Sequence, residues 1–171
     1  FLNSVNFFLK DNSISIKQIS KKNINFHARH SAKKKIYKYI IFNRSINSPM
    51  YWKRSWFLKK KLDLRMMKKA IKFFRGKHNF SSMRSASCSA KSPIRTVTRA
   101  DISKKGDIIT ITFESRSFLQ KQVRSMVGCL KYVGENKWEP NKIKLVIKSN
   151  KRELCAPPAP PEGLYLEKVF Y

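Results

Sequence analysis

Two neighbouring runs of β-forming residues constrain the fold of this chain more than any other feature. They are Ile94–Ile102 and Asp107–Glu114, and Lys104-Lys-Gly106 lies between them. Strands joined by so short a connection pair as an antiparallel hairpin, and glycine permits the backbone conformation that a tight turn requires. The sequence therefore predicts an antiparallel strand pair in the second half of the chain.

Further periodic segments surround this hairpin. Hydrophobic periodicity and β-branched or aromatic content predict strands at Ile14–Ile19, Lys33–Asn43, Tyr51–Leu58 and Leu164–Phe170. Helical spacing predicts a helix that Asp63 caps and Gly76 ends, a helix that Ser117 opens, and a short basic helix at Asn141–Ser149. We find no internal repeat and no domain boundary, so residues 1–171 are predicted to form one mixed α+β unit.

The strand Lys33–Asn43 changes character along its length. Lys38 lies between Tyr37 and Tyr39, and the run that follows is fully apolar. This pattern indicates a strand that begins beside a charged groove and ends in the core. A tyrosine flanked by Lys35 and Lys38 can stack on a nucleobase while its neighbours hold phosphates. A tyrosine half-buried in the core fits the pattern equally well.

The stretch Ser117–Gly128 is amphipathic and carries one arginine, Arg124, at the edge of its apolar face. A partly desolvated arginine requires an anionic partner, so Arg124 indicates a site that contains a carboxylate or a phosphate. Gly128, one turn later, permits another chain segment to approach closely. The apolar face consists of Leu119, Val123, Met126, Val127, Leu130 and Val133.

The charge of the chain is strongly positive. There are 38 Lys and Arg against 10 Asp and Glu, a net charge of +28, and Phe1–Arg75 contains only two acids, Asp11 and Asp63. The lysine usage of AT-rich genomes accounts for part of this excess. The remainder favours a polyanionic partner, RNA or DNA. Arg84 and Arg95, which bracket a serine-rich loop, are candidates for phosphate contacts, although simple solvation is the alternative.

Several classes of site are not indicated. The three histidines lack the spacing of metal ligands, and the five glycines form no nucleotide-binding loop. The acids form no obvious catalytic pair, so a self-contained carboxylate-based active site is not evident. Cys88, Cys129 and Cys155 are widely spaced and odd in number, which favours a reducing compartment over a disulfide framework.

Six motifs, in order along nearly the whole chain, resemble the TruA family of tRNA pseudouridine synthases. They are Phe26-His-Ala-Arg29, Tyr37-Lys-Tyr39, Gly76-Lys-His-Asn-Phe80, Ser92-Pro-Ile-Arg-Thr-Val97, Ser117–Gly128 and Ala156–Leu166. The last of them resembles the Thr-Ala-Pro-x-x-Gly-Leu-Tyr-Leu ending of that family.

The resemblance implies an enzyme that isomerises uridine to pseudouridine in the anticodon stem-loop of tRNA, without cofactor or metal. It implies a mainly antiparallel central sheet flanked by helices, a cytoplasmic location and a homodimer. In this family pattern Tyr37 packs on the target base, and Arg124 pairs with the catalytic aspartate. The expected RNA-binding residues are His27, Arg29, Lys35, Lys38, Arg84, Arg95 and Lys121.

The sequence departs from the family at one decisive point. The Gly-Arg-Thr-Asp-Ala-Gly-Val-His segment with the catalytic aspartate is absent, and the chain begins at Phe1 rather than at a methionine. We therefore expect a C-terminal portion of the enzyme that is inactive alone, with an open sheet edge beside Lys33–Asn43. The alternative is a non-catalytic RNA-binding or ribosome-associated protein derived from this fold.

Overall fold

A computed structural model describes residues 1–171, which divide into two compact units, 1–31 and 32–171. The first contains one helix, α1 (Leu2–Leu9), followed by irregular chain. The predicted strand Ile14–Ile19 is wrong. Instead of pairing with a strand, the Ile16 backbone exchanges two hydrogen bonds of 2.8 and 2.9 Å with the side chain of Asn6.

The second unit is built around a six-stranded mixed sheet that is mainly antiparallel. Its strands are β1 (Lys34–Asn43), β2 (Trp56–Leu58), β3 (Gly76–Asn79), β4 (Ile94–Lys105), β5 (Ile108–Ser115) and β6 (Leu164–Phe170). Its helices are α2 (Leu64–Ile71), α3 (Gln122–Gly134) and α4 (Lys142–Ser149). The predicted fold class, an α+β fold with a mainly antiparallel sheet flanked by helices, is confirmed.

Strand β1 lies inside the sheet and not at its edge. One side of β1 pairs with β5 along Lys35–Phe42. The other side pairs with β6 along its first half and with β2 at Ile41–Asn43. The prediction of an open edge beside this strand is therefore wrong, because the C-terminal strand returns to occupy that position.

The central hairpin forms as predicted, and the helix after Asp63 begins as predicted but ends at Ile71, followed by a 3-10 turn over Lys72–Phe74. β4 pairs with β5 around Gly106, whose φ of +56° suits glycine. The Asp63 carboxylate accepts a 3.0 Å hydrogen bond from the Met66 amide and caps α2. The predicted strand Tyr51–Leu58 is shortened to β2, because the residues before it form a 3-10 turn and bends.

Helix α3 begins four residues later than predicted, at Gln122 rather than directly after Ser117. Lys121 adopts a left-handed conformation (φ 63°), which ends the preceding turn. The Gln122 side chain, fully buried, accepts a 2.8 Å hydrogen bond from the Leu119 amide. The Ser117 hydroxyl thus does not cap the helix. The backbone amide of Ser117 donates a 3.3 Å hydrogen bond to Ser115 Oγ.

The core lies between one face of the sheet and the helices α2, α3 and α4. Burial alternates along β5, where every second side chain is buried, as expected for a strand with one covered face. The predicted apolar face of α3 is buried throughout, from Leu119 to Val133. None of the helices is long and apolar enough to span a bilayer.

Candidate functional site

Two tyrosines of β1 project from the covered face of the sheet, because residues two apart in a strand share a face. Tyr37 is half-buried, and its ring forms a T-shaped contact with Phe118, with ring centroids 5.3 Å apart and planes at 87°. Tyr39 is fully buried and donates a 2.7 Å hydrogen bond to the carbonyl of Pro160. The half-buried position packed on the core is the one observed for Tyr37, and its stacking on a nucleobase stays a prediction.

Burial raises the pKa of both tyrosines above the ordinary value for a phenol. For Tyr39, the positive charge of Arg124 opposes this rise and the negative charge of Glu162 adds to it. The Tyr39 hydroxyl and Arg124 Nε bind the carbonyls of two consecutive residues, Pro160 and Ala159, so these two side chains lie close together. Both phenols stay protonated at neutral pH and can act as hydrogen-bond donors.

Arg124 is half-buried on α3 and binds the proline-rich loop of residues 156–161. Its Nε donates to the Ala159 carbonyl at 2.5 Å, and the Ala159 amide donates to the Arg124 carbonyl at 2.9 Å. Among the ion pairs of the chain, none includes Arg124. The guanidinium therefore keeps its position through backbone contacts, and its terminal nitrogens stay available to an anion.

Gly128 permits the close approach that the sequence predicts. A Cβ atom at this position would lie 2.0 Å from the Pro157 carbonyl oxygen. No other residue allows the loop to lie so near the helix, and this contact brings Ala159 within reach of Arg124. The glycine thus positions the site although it bears no chemical group.

Arg84 and Arg95 lie together around the serine-rich loop. Each donates to carbonyls within it, Arg84 to Ala90 at 3.4 Å and Arg95 to Ser92 and Ile94 at 2.8 and 2.6 Å. Hydrogen bonds with the Ala90 and Gln120 backbone, and then the charges of Arg84 and Arg95, lower the pKa of Cys88. Both arginines shape the loop, and both remain candidates for phosphate contacts.

The predicted RNA-binding lysines are more dispersed. Lys35 shares the face of Tyr37, whereas Lys38 lies on the opposite face and forms an ion pair with Glu167. Lys121 is exposed at the start of α3. The structure thus separates Lys38 from the tyrosine beside which the sequence places it.

His27 and Arg29 belong to the first unit and are exposed. The ring nitrogen Nδ1 of His27 accepts from the amides of Arg29 and His30 at 3.1 and 3.3 Å, which makes a compact turn. His27 therefore organises the backbone that presents the Arg29 side chain.

Two features escape prediction from the sequence. Phe118 and the carbonyls of Ala159 and Pro160 complete the surroundings of Tyr37, Tyr39 and Arg124, and only the spacing of the two tyrosines hints at the cluster. Cys129 and Cys155 are both buried, with their sulfurs 3.5 Å apart as free thiols. No group of three or more His, Cys, Asp or Glu side chains has the arrangement of a metal site.

Comparison with known proteins finds one matching family model and several similar proteins. A family model described as tRNA pseudouridine synthase matches residues 70–171. The tRNA pseudouridine synthase A of Pelagibacter ubique is 55% identical over 170 residues, 99% of this chain and 69% of that protein.

More distant relatives give the same result. The tRNA pseudouridine synthases A of Sinorhizobium medicae and Rhodopseudomonas palustris are 39% and 43% identical, over 92% and 85% of this chain. The chain spans 64% and 59% of their lengths. All three relatives are named as enzymes, so the matches do not favour a non-catalytic RNA-binding or ribosome-associated protein.

Proposed function

Because the chain belongs to the tRNA pseudouridine synthase family, we propose that it supplies part of the site that isomerises uridine to pseudouridine in the tRNA anticodon stem-loop. The observation that carries this proposal is the convergence of Tyr37, Tyr39 and Arg124 on one face of the sheet. The proline-rich loop fixes two of these side chains through the Pro160 and Ala159 carbonyls.

Arg124 is proposed to hold the catalytic aspartate, a role carried over from the family pattern. The Ala159 carbonyl fixes the Nε side of its guanidinium, which leaves the two terminal nitrogens for a carboxylate in a paired geometry. An arginine held in this way keeps the acid ionised and aimed, because a nearby positive charge lowers the pKa of a carboxyl group. The half-buried position strengthens the pairing, since the local dielectric constant is lower than in water.

Tyr37 is proposed to pack on the target base. Its ring packs against Phe118 in a T-shaped contact, which holds the phenol in place for stacking on the uracil. In the isomerisation the bond from the ribose C1′ to N1 breaks and a bond from C1′ to C5 forms. C5 then loses its proton and N1 gains one, so no net oxidation or reduction occurs.

We propose that the 171-residue sequence, in which no Gly-Arg-Thr-Asp segment occurs, binds tRNA but does not turn it over alone. The test is tritium release from tRNA labelled at C5 of uracil, since the C5 proton leaves during isomerisation. We expect no release from the chain alone, and release after the Gly-Arg-Thr-Asp segment of a relative is fused to its N-terminus. Turnover by the chain alone would refute the need for the aspartate, and tRNA binding no stronger than that of a neutral protein would refute the function itself.

The homodimer and the cytoplasmic location implied by the resemblance are also proposals. The homodimer is best tested with the fused protein, because the fusion contains the Gly-Arg-Thr-Asp segment of the family pattern. Sedimentation equilibrium that gives twice the mass of one chain would support the dimer, and the mass of one chain would contradict it.

A further inference from the structure

The loop between β1 and β2, residues 44–55, exposes large apolar side chains beside positive charges. Ile46, Met50 and Trp52 are 71, 79 and 64% exposed. Three cations, Arg44, Lys53 and Arg54, share the loop, and it contains no acid. A cluster of exposed apolar groups on a soluble domain commonly marks a surface that binds a partner.

A cavity of about 420 Å³ opens in this loop, lined by Asn47, Ser48, Pro49 and Trp52. Its volume lies within the range of about 300–1,000 Å³ typical of small-ligand sites. Trp52 provides a flat apolar wall, and Asn47 and Ser48 provide polar groups. The Asn47 oxygen accepts from the Ser48 amide at 2.8 Å, which leaves the amide NH₂ as a donor.

The loop is well anchored for a surface segment. Tyr51 stacks on Phe42 of β1 with ring centroids 4.7 Å apart and planes 22° apart. Arg44 spans the turn and donates from Nε to the Ile46 carbonyl at 2.5 Å. At the other end, the Tyr165 hydroxyl of β6 donates to the Arg54 carbonyl at 2.6 Å. Binding therefore costs little ordering of the loop itself.

We propose that this cavity binds one base of single-stranded or looped RNA, stacked on Trp52, while Arg44, Lys53 and Arg54 contact the adjacent phosphates. Aromatic rings interleaved with cations are the usual platform for unpaired bases. The site lies on the opposite face of β1 from Tyr37, because Tyr51 of its loop stacks on Phe42, five residues along the strand. It would therefore hold a nucleotide other than the target uridine, and in this respect it rests on the proposed function.

A second copy of the chain is the competing occupant, and charge argues against it. In a two-fold symmetric contact the same patch meets itself. Asp107 lies 3.8 Å from Arg44 and offsets part of its charge, but Lys53 and Arg54 form no ion pair. These two cations would then face the same two cations, whereas a phosphate backbone complements them.

Trp52→Ala tests the inference, with a fluorescein-labelled oligouridylate as the probe. We expect binding to weaken by about 5- to 150-fold, the range for loss of one stacked base. Trp52→Phe should retain most of the affinity because a ring remains. Leu145→Ala is the matched control, since it removes a similarly exposed apolar side chain (59%) from α4 and should leave the affinity unchanged.

A second measurement does not depend on truncating the side chain. With Trp56 and Trp138 replaced by Phe, the remaining emission comes from Trp52, and oligouridylate should quench it in a saturable manner. Equal affinity of Trp52→Ala and the unaltered chain, or unquenched emission under saturating RNA, would overturn this inference alone. Loss of self-association without loss of RNA affinity would assign the surface to a second copy. Failure of the unaltered chain to bind RNA would overturn the proposed function together with this site.

Discussion

At the scale of single residues, Arg124 and Arg152 form a matched pair. Both are half-buried and both donate to the loop that contains residues 156–161, Arg124 to Ala159 and Arg152 to Ala156 at 3.3 Å. Only Arg124 lies beside the tyrosines of the proposed site. If it orients a catalytic carboxylate, a lysine cannot replace it, because an ammonium group lacks the planar fork that pairs with a carboxylate.

We therefore expect Arg124→Lys, in the chain fused to the aspartate segment, to lower kcat by about 100-fold or more. Its affinity for tRNA should change by less than about threefold, since the charge remains. Arg152→Lys should leave kcat unchanged while it lowers stability slightly. Single-turnover tritium release and filter binding measure the two effects, and equal losses of kcat in both variants would show that Arg124 acts only through loop packing.

The environment of a side chain was predictable from the sequence only where it depends on neighbouring residues in the same helix or strand. The desolvation of Arg124 followed from its position on the helix, and so did the tight contact at Gly128. The partners were not predictable, because the Ala159 and Pro160 carbonyls come from a loop 35 and 121 residues away from the side chains that bind them. The contact between Cys129 and Cys155 is of the same kind.

At the scale of elements, the packing of α3 against the proline-rich loop depends on Gly128. In the interior of a helix alanine is favoured over glycine by about 1 kcal/mol. Here an alanine Cβ would meet the Pro157 carbonyl at 2.0 Å, and backbone cannot turn away as a side chain can. Overpacking of this kind costs about 1–3 kcal/mol or more, so the clash outweighs the gain in helix propensity.

Gly128→Ala should therefore lower the free energy of unfolding by about 1–2 kcal/mol in urea titrations, the overpacking cost less the gain in helix propensity. Gly134→Ala is the control on the same helix. There the new Cβ would lie 2.7 Å from the sulfur of Met67, the far end of a flexible side chain, and we expect a change below about 1 kcal/mol. Equal destabilisation by the two variants would mean that the loop contact does not limit the position of α3.

Element boundaries show where sequence patterns reach their limit. The hairpin of β4 and β5 and the helix α2 were predictable, because turn glycine and an Asp cap are local signals. The start of α3 was not, since a buried glutamine holds the preceding turn from within. Ile14–Ile19 has strand-like alternation, yet a strand forms only where a neighbour supplies its hydrogen bonds, and here an asparagine side chain binds Ile16 instead.

At the scale of the whole molecule, most of the positive charge is not neutralised within the chain. Ion pairs engage five acids, Asp101, Asp107, Glu114, Glu135 and Glu167, and seven of the 38 basic residues. The large remainder gives a field that extends into solvent at low ionic strength and fades within about 10 Å at 0.1 M salt. Such a field attracts a polyanion of any sequence, so affinity alone does not distinguish tRNA from other RNA.

The salt dependence of tRNA binding tests this electrostatic account. If about 6–10 phosphates are contacted, the association constant should fall by about 10³–10⁵ between 50 and 200 mM salt, because condensed counterions are released on binding. The slope of the logarithm of the association constant against the logarithm of the salt concentration should become shallower by about one when exposed Lys121 is replaced by glycine. Stability should not fall, since the φ of 63° at this position suits glycine. Lys104→Ala, near the end of β4 and outside the predicted RNA-binding set, is the control. A change in affinity below about tenfold over this range would mean that apolar and stacking contacts, and not the net charge of +28, hold the RNA.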